Sequence, residues 1–258
     1  MVGNAGPYSL ASTGMRHNDF GQPIGEPVPG WQPPAAIRPA TLTGRHVRLE
    51  PLRIDHADLL HTAMVTDSDP RIWTYYPYSP QMSRAEFGAF LGDQIDRPAA
   101  AAHALISPAG AGLGVASFLR NDPANGVVEV GSIVFASVLQ RTTAATEALI
   151  LMARHALGTL GYRRYEWKCD SANAPSIAAA RRLGFTYEGR FRQAVVYSGR
   201  NRDTDWFSII DSEWPAISAA YDAWLAPGNF DPAGRQRTRL EDCLAQVGRT
   251  PGAPPPPA

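Results

Sequence analysis

The segment from Val128 to Phe185 contains residue types that could bind a pyrophosphate and accept a proton. An apolar stretch with one carboxylate, Glu129, precedes a polar loop, and that loop opens an apolar helix at about Thr143. The first N–H groups of a helix have no acceptor within it, and the helix dipole adds partial positive charge there. A pyrophosphate lying across residues 141–146 would use both effects. The loop also fits a plain N-cap at Thr142 or Thr143, and taken alone it leaves both interpretations open.

Two other polar positions of this segment have simple structural interpretations. Glu129 lies in an otherwise apolar strand beside Gly131, a pattern typical of a polar position on an edge strand. Asn173 stands before Pro175 at the start of a short helix, where Asn is a preferred N-cap. The pattern alone therefore gives neither residue a chemical role.

The surrounding elements are predicted from periodicity and capping signals. Ser83 and Glu86 form a capping box that opens a helix through about Ile95, and Asp55 is expected to cap an earlier helix. The other expected elements are strands at His46–Arg53, His103–Ser107, Gly114–Arg120, Val127–Phe135 and Arg164–Cys169, helices from Thr143 to about Leu160 and from Asn173 to Gly184, and a hairpin of Phe185–Tyr197 with Arg202–Ile210 across Ser198–Asn201. This order predicts an α/β (α+β) fold with a mixed, mostly antiparallel sheet of about six to seven strands flanked by about four helices.

Composition divides the chain into a central body and two arms. With 258 residues, 44% of them hydrophobic, the chain can bury one sizeable core. We expect a Pro/Gly-rich, partly disordered N-terminal arm at 1–40, one folded domain at 41–215, and a C-terminal tail at 216–258. That tail contains one short helical pattern around Arg237–Val247 and ends in PGAPPPPA.

The charge distribution argues against nucleic acid and membrane partners. The formal net charge is +0, so no overall field attracts polyanions or an anionic membrane. Between Gln140 and Arg202, however, eleven Lys and Arg face four Asp and Glu. This local excess suits a multiply phosphorylated small ligand, but taken alone it favours a solvated helix face.

The remaining composition indicates a soluble cytoplasmic protein. Cys169 and Cys243 are far apart and require no disulfide, so a reducing compartment is expected. No leader sequence and no membrane-spanning apolar run is recognised. Lys168 is the sole lysine among 24 basic residues, which we attribute to genome-level composition.

Five motifs, taken together, point to one known superfamily. They are WTYYPY at Trp73–Tyr78, Glu129-Val130-Gly131, QRTTAATEA at Gln140–Ala148, NAPS with RLGF between Asn173 and Phe185, and DTDWFSIIDSEW at Asp203–Trp214. Their order resembles the Gcn5-related N-acetyltransferases (GNAT), and within these the ribosomal-protein N-terminal, RimJ/RimL-like branch. The resemblance covers roughly Leu42 to Pro215. QRTTAATEA is similar to the family's pyrophosphate loop, Gln/Arg-x-x-Gly-x-Gly/Ala, except that Thr143 stands where Gly is usual.

The resemblance implies roles for individual residues. It makes Glu129 the general base, acting directly or through water, and Ser176 a proton donor to the leaving sulfur. It implies that Asn173 and Ser176 hold the pantetheine arm of acetyl-CoA. The implied acetyl-CoA-binding residues are Gln140, Arg141, Thr142, Thr143, Ala144, Ala145, Thr146, Asn173 and Ser176. Trp73, Tyr75, Tyr76 and Tyr78 are candidates for the acceptor cleft, although aromatic clusters more often serve packing.

The implied activity is transfer of an acetyl group from acetyl-CoA to a primary amine by direct attack, without a metal. Neither cysteine has the setting of a nucleophile, so no covalent enzyme intermediate is expected. The acceptor is expected to be a protein N-terminal α-amine, and the enzyme a monomer or homodimer. The alternatives are an acetyltransferase of an amino acid, polyamine or antibiotic, and a non-catalytic CoA-binding regulatory protein. Thr143 keeps this last alternative open.

Overall fold

The computed structural model describes residues 16–249, and the chain forms two units, residues 1–32 and 33–258. In the first unit, β1 (Arg16–His17) pairs antiparallel with β2 (Pro23–Ile24). Disorder is expected in residues 1–15 and in the Pro-rich end, and both segments lie outside the described residues. Residues 33–40, assigned to the arm by composition, belong to the second unit, where Ile37 is buried in the core.

The second unit is built on an eight-stranded sheet. Its strands are β3 (Leu42–Thr43), β4 (Arg48–Pro51), β5 (Ala101–Ile106), β6 (Gly112–Asp122), β7 (Val127–Phe135), β8 (Arg164–Asp170), β9 (Thr186–Tyr197) and β10 (Arg200–Ile210). Their spatial order is β3-β4-β5-β6-β7-β8-β10-β9. Every neighbouring pair is antiparallel except β7 with β8, which is parallel. The predicted mixed, mostly antiparallel sheet is confirmed.

Six α-helices cover the sheet among the described residues. They are α1 (Ala57–His61), α2 (Arg84–Ile95), α3 (Thr143–Ala153), α4 (Ala174–Arg182), α5 (Trp214–Leu225) and α6 (Leu240–Gln246). Single π-helical turns extend α1 through Thr66 and α3 through Thr159. The predicted capping box of α2 is confirmed, because Glu86 N–H donates to Ser83 Oγ and Ser83 N–H donates to Glu86 Oε2.

The prediction that Asp55 caps the first helix is wrong. A 3₁₀ turn, Ile54–His56, precedes α1, and its N-cap is Arg53. The Asp55 carboxylate accepts from Arg53 Nε at 3.1 Å, and His56 Nδ1 accepts the Arg53 backbone N–H at 3.2 Å. The side chain of Asp55 is therefore engaged by its neighbour instead of by the helix start.

The sheet and helix counts exceed the sequence-based expectation for physical reasons. β3 has two residues, too few to show alternation, and α5 begins at Trp214, so the expected boundary at residue 215 falls inside it. Ile217 and Tyr221 of α5 and Leu244 of α6 are buried in the same core cluster as the sheet. The segment after residue 215 is thus packed into the body, and α6 lies within the range expected for a short helix. The hairpin turn is shorter than expected, with Ser198 and Gly199 between β9 and β10.

The two faces of the sheet carry separate hydrophobic clusters. Helices α3, α4, α5 and α6 pack on the face that holds Val128, Val130 and Trp167, which we call the α3 face. Helices α1 and α2 pack on the opposite face, against Val115 and Val134, which we call the α1 face. Because side chains of a strand alternate, Glu129 between Val128 and Val130 points to the α1 face.

Two β-bulges lie in β6 and β7 on either side of Glu129. The β6–β7 register shifts between Leu119 and Asp122, and again between Val115 and Ser117. The residues with positive φ in these stretches are Arg120 (φ 50) and Ser132 (φ 48). The second bulge reverses the alternation of β7, so that Val134 joins the α1 face while Val130 lies on the α3 face.

Candidate active site

The parallel strands β7 and β8 separate part-way along their length. Their ladder pairs Val127 with Arg164 and ends where Val130 pairs with Trp167. The bulge at Ser132 follows directly in β7, while β8 continues to Asp170 and pairs there with Thr204 of β10. Within residues 16–249, the backbone of β7 beyond Val130 has no ladder partner in β8. The two strands therefore leave a gap in the sheet that opens onto both of its faces.

The start of α3 lies on one side of this gap. Thr142 is the N-cap, since its Oγ1 accepts the Ala145 N–H at 3.1 Å. Thr143 is the first residue of the helix and is absent from the positive-φ residues, whereas Arg141 has φ 62. The unusual backbone conformation therefore falls on Arg141, and Thr143 does not need the conformational freedom of Gly. The N–H groups of Thr143 and Ala144 have no acceptor within the helix, so they are available to bind an anion.

A second basic group lies close to this helix start. Arg182, in the last turn of α4, donates from Nη2 to Thr146 Oγ1 at 2.6 Å. Burial lowers the pKa of the Arg182 guanidinium from its ordinary value. Gln140 points back to the sheet, where its Nε2 donates to the Phe135 carbonyl at 3.2 Å. Arg141 is exposed beside the loop.

Asn173 and Ser176 are brought together at the start of α4. The Asn173 side chain caps the helix by accepting the Ser176 N–H at 3.2 Å, as its pattern predicts. Ser176 Oγ accepts from Trp167 Nε1 at 3.0 Å, which places it at the last ladder position of β8. Burial raises the pKa of the neighbouring Cys169 thiol to about 11, so this cysteine is a neutral thiol at physiological pH.

Glu129 lies on the other face of the gap. It is 7% exposed and sits in an interior strand, so the edge-strand interpretation is wrong. Its Oε2 lies 3.0 Å from Lys168 Nζ and 3.3 Å from Arg120 Nε, and the bulge in β6 turns Arg120 towards it. Burial raises the pKa of Glu129, an effect that Lys168 and Arg120 partly oppose.

The α1 face of β8 carries a column of charged residues that sequence reasoning did not single out. Glu166, Lys168 and Asp170 alternate with the core residues of that strand, and both carboxylates are 7% exposed. Lys168 Nζ lies 2.8 Å from Glu166 Oε2 and 3.6 Å from the centre of the Trp206 ring. The strict alternation of the strand was the available signal, but only the register of β8 with β10 brings Trp206 to Lys168.

The candidate aromatic residues separate into two pairs. Trp73 is 2% exposed, packs edge-on against Phe90, and donates from its indole to the Met64 carbonyl. Tyr78 packs against Phe90 as well, with ring centres 4.8 Å apart. These two side chains belong to the packing of α2, and the buried indole of Trp73 does not line an open surface.

Tyr75 and Tyr76 lie across the gap. Tyr76 donates its hydroxyl to the Ile133 carbonyl of β7 at 2.8 Å, and Tyr75 donates to the Ala172 carbonyl after β8 at 2.8 Å. Arg200 of the β9–β10 hairpin reaches the Thr74 carbonyl at 3.4 Å. The loop therefore contacts β7 and the segment that follows β8.

Comparison with known proteins agrees with this geometry. Residues 46–186 match the family model described as the acetyltransferase (GNAT) domain. The chain belongs to the GNAT acetyltransferase family. A GCN5-related N-acetyltransferase from Brucella melitensis is 44% identical, with a TM-score of 0.81 over 84% of this chain and 100% of that one. A probable GNAT-family acetyltransferase from Chromobacterium violaceum is 36% identical, with a TM-score of 0.70 over 76% of this chain and 98% of that one.

More distant solved structures share the fold. A Salmonella typhimurium acetyltransferase that modifies the N-terminal serine of ribosomal protein L7/L12 is 22% identical, with a TM-score of 0.58 over 66% of this chain and 99% of that one. No curated protein sequence matches the chain. The family match and the 44% identical relative show the protein to be a GNAT-type acetyltransferase, and the family acetylates amines with acetyl-CoA.

The site fits the acetyl donor of this family. The open helix start at Thr143 and Ala144 suits a pyrophosphate, and the gap beside Ser176 suits a slender arm ending at the sheet. Within residues 16–249, no group of three or more His, Cys, Asp or Glu is placed to hold a metal ion. No helix in the same part of the chain is both long and apolar enough to cross a bilayer.

Proposed function

We propose that this enzyme acetylates the α-amine of a protein N-terminus, with Glu129 as general base. The observation that supports it most is the position of Glu129, buried on the α1 face beside the gap, opposite the helix starts of α3 and α4. Acetyl-CoA supplies the acetyl thioester that the amine attacks. WTYYPY and DTDWFSIIDSEW, the motifs similar to the RimJ/RimL-like branch, favour a ribosomal or other protein N-terminus.

The two faces support direct transfer between two bound substrates. Thr142–Thr146, Asn173 and Ser176 lie on the α3 face, where the donor would bind. Tyr75, Tyr76 and Glu129 lie on the α1 face, where an amine would arrive. One nitrogen–carbon bond forms at the gap and one carbon–sulfur bond breaks. Cys169 is buried with a raised pKa, which argues against a cysteine-bound intermediate.

Glu129 takes the proton that the amine loses. Its Oε2 faces Lys168 Nζ at 3.0 Å and Arg120 Nε at 3.3 Å, and among the described residues no hydrogen bond occupies Oε1, which remains to accept that proton. Because burial raises its pKa, the carboxylate is a stronger base than an exposed glutamate. An α-amine with a pKa near ~7.8 needs about 1 kcal/mol to be deprotonated at neutral pH, whereas a lysine amine near ~10.4 needs about 4–5 kcal/mol. One carboxylate meets the first demand more readily.

The leaving sulfur needs less assistance than the amine. A thiol has a pKa near ~8.5, so a thiolate leaves readily at neutral pH. Ser176 donates a proton to it as a secondary aid, with its Oγ held by the Trp167 indole. Backbone N–H groups of β7 beyond Val130 are free of β8 and would stabilise the negative charge on the carbonyl oxygen.

An acceptor panel tests the proposal. The enzyme is incubated with acetyl-CoA and a peptide with a free N-terminus, the same peptide blocked at its N-terminus but with an internal lysine, a polyamine and free amino acids. We expect one acetyl group, detected by mass spectrometry, on the free N-terminus alone. Acetylation of the polyamine or amino acids instead would establish a small-molecule acceptor and overturn the protein N-terminus as substrate.

A further inference from the structure

The single lysine of the chain occupies an unusual enclosure. Lys168 has a side chain 5% exposed, with its Nζ 3.0 Å from Glu129 Oε2 and 2.8 Å from Glu166 Oε2. The face of Trp206 closes the third side at 3.6 Å from the ring centre. A buried ammonium between two carboxylates and an aromatic face is held by charge on each of these sides. The mechanism proposed above gives this group no part.

We propose that Lys168 is a positioning residue of the acetyl-transfer reaction, whose ammonium group fixes the Glu129 carboxylate beside the gap between β7 and β8. Glu166 and Trp206 in turn hold the ammonium. Glu166 lies two positions before Lys168 on the same face of β8, and Trp206 pairs with Lys168 from β10. This inference rests on the proposed role of Glu129 as base. It adds the residue that orients that base and keeps it ionised.

The enclosure suits lysine and excludes arginine. An ammonium is a compact point charge with three donors, which can face two oxygens and a ring at once. A planar guanidinium is longer and directs its donors in one plane, so it would displace either Glu129 or Trp206. Arginine fills every other Lys or Arg position of the sequence, which makes the one lysine informative at this place.

Several titratable groups lie near Glu129, and some of them change its pKa. Arg120 of β6 lies 3.3 Å from its Oε2 but has a side chain 67% exposed, so solvent weakens its effect. The Tyr76 hydroxyl is a neutral phenol, since burial raises its pKa, and it donates to the Ile133 carbonyl of β7. Glu166 opposes ionisation of Glu129 and is itself bound by Arg164 at 2.7 Å. Lys168 is therefore the buried cation that most strongly opposes the effect of burial on Glu129.

The experiment compares Lys168→Met and Lys168→Arg with the wild type. Two quantities are measured: the pH dependence of kcat, and the titration of the Glu129 carboxyl by ¹³C NMR of the enzyme without substrates, assigned with Glu129→Gln. An opposite charge at this distance lowers a carboxyl pKa by about 1–3 units. In Lys168→Met we expect the NMR midpoint and the acid limb of kcat to move up by about 1–3 pH units, while KM for acetyl-CoA is unchanged. Lys168→Arg keeps the charge but not its position, so both midpoints should move up by less than in Lys168→Met.

Arg249→Met serves as a control, because it removes another partly buried ion pair, with Glu213 at 2.7 Å, away from the gap. It should leave both midpoints in place. If Lys168→Met does not fold, Lys168→Met with Glu166→Gln removes the repulsion left behind and is measured instead.

Two results would overturn the inference, and they differ in cause. If the NMR midpoint of Glu129 stays in place while Glu129→Gln is inactive, Lys168 does not control the base, and the proposed function stands. If the NMR midpoint moves but the acid limb of kcat does not, and Glu129→Gln keeps wild-type activity, the base assignment itself has failed.

Discussion

Glu129 and Ser176 lie on opposite faces of the central sheet, on either side of the point where β7 and β8 separate. Ser176 is held by Trp167 on the α3 face, whereas Glu129 alternates with Val128 and Val130 and faces the other way. A base and a sulfur-side donor in this arrangement can act together only through the gap. The proposed mechanism therefore brings the amine to the α1 face and the thioester to the α3 face.

Replacement of Glu129 by Gln should lower kcat by about 10²–10⁴-fold, because it removes the proposed general base. Wild-type activity should fall as pH drops through the raised pKa of Glu129, since the base must be ionised. Ser176→Ala should cost less, because the thiolate leaves with little help. Steady-state kinetics from about pH 6 to 9, at equal enzyme concentrations, measure kcat and its pH dependence for the wild type and both variants. Glu213→Gln, a carboxylate at the start of α5, is the control. Wild-type kcat for Glu129→Gln at every pH would exclude the assignment.

The sequence predicts the elements well and the relations between distant strands poorly. Caps at Ser83, Thr142 and Asn173 are local signals, and all three are formed. The positive φ of each bulge falls on a residue other than Gly, at Arg120 and Ser132, so neither bulge is marked at its own position. Gly131 beside Ser132 was the one local hint of an irregularity in VEVGSIVF. Register is set by tertiary packing, so no periodicity indicates which side chain faces which across a sheet.

The same limit explains why the charged column escaped notice. Alternation in β8 predicts that Lys168 lies on the opposite face of the strand from its apolar residues. Glu129 and Trp206, however, reach Lys168 from strands far apart in the chain. A single lysine in an arginine-rich sequence looked like composition. Only the three-dimensional pairing of β7, β8 and β10 shows it as a buried ammonium.

Two substitutions at Arg141, in the proposed pyrophosphate loop, separate the effect of its backbone conformation from the effect of its charge. Its φ of 62 is relieved by Gly but not by Ala, so Arg141→Gly should be about 1 kcal/mol more stable than Arg141→Ala. Both lose the guanidinium and should weaken acetyl-CoA binding by the same factor. Urea unfolding and calorimetric titration with acetyl-CoA measure the two effects. Unchanged affinity in both variants would show that Arg141 is only a solvated loop residue.

The aromatic residues should fall into the two classes that their contacts define. Trp73→Ala removes a buried side chain and should lower the free energy of unfolding by about 3–5 kcal/mol. Tyr75→Phe loses the hydrogen bond to the Ala172 carbonyl at the gap and should raise the KM of the acceptor with the fold retained. Denaturant unfolding and acceptor kinetics are measured on both. An acceptor KM that responds to neither change would place the amine elsewhere.

His103 should make the stability of the protein depend on pH. It is 0% exposed, its Nδ1 donates to the Ala101 carbonyl, its Nε2 accepts from Ala40 N–H, and burial lowers its pKa from 6.5 to about 4. Below pH 6.5 the unfolded chain binds a proton that the folded protein refuses, so stability is complete above that pH and is lost as pH falls towards 4. The loss amounts to about 3 kcal/mol.

His103→Gln isolates this contribution from the other titrating groups. Unfolding free energies of both proteins are measured in urea at pH 7 and near pH 4. The wild type should lose about 3 kcal/mol more than the variant between the two conditions, because Gln carries no proton to exchange. An equal loss in both proteins would mean that the imidazole is protonated in the folded state. It would then have to donate from both nitrogens, to the carbonyls of Ala101 and Ala40.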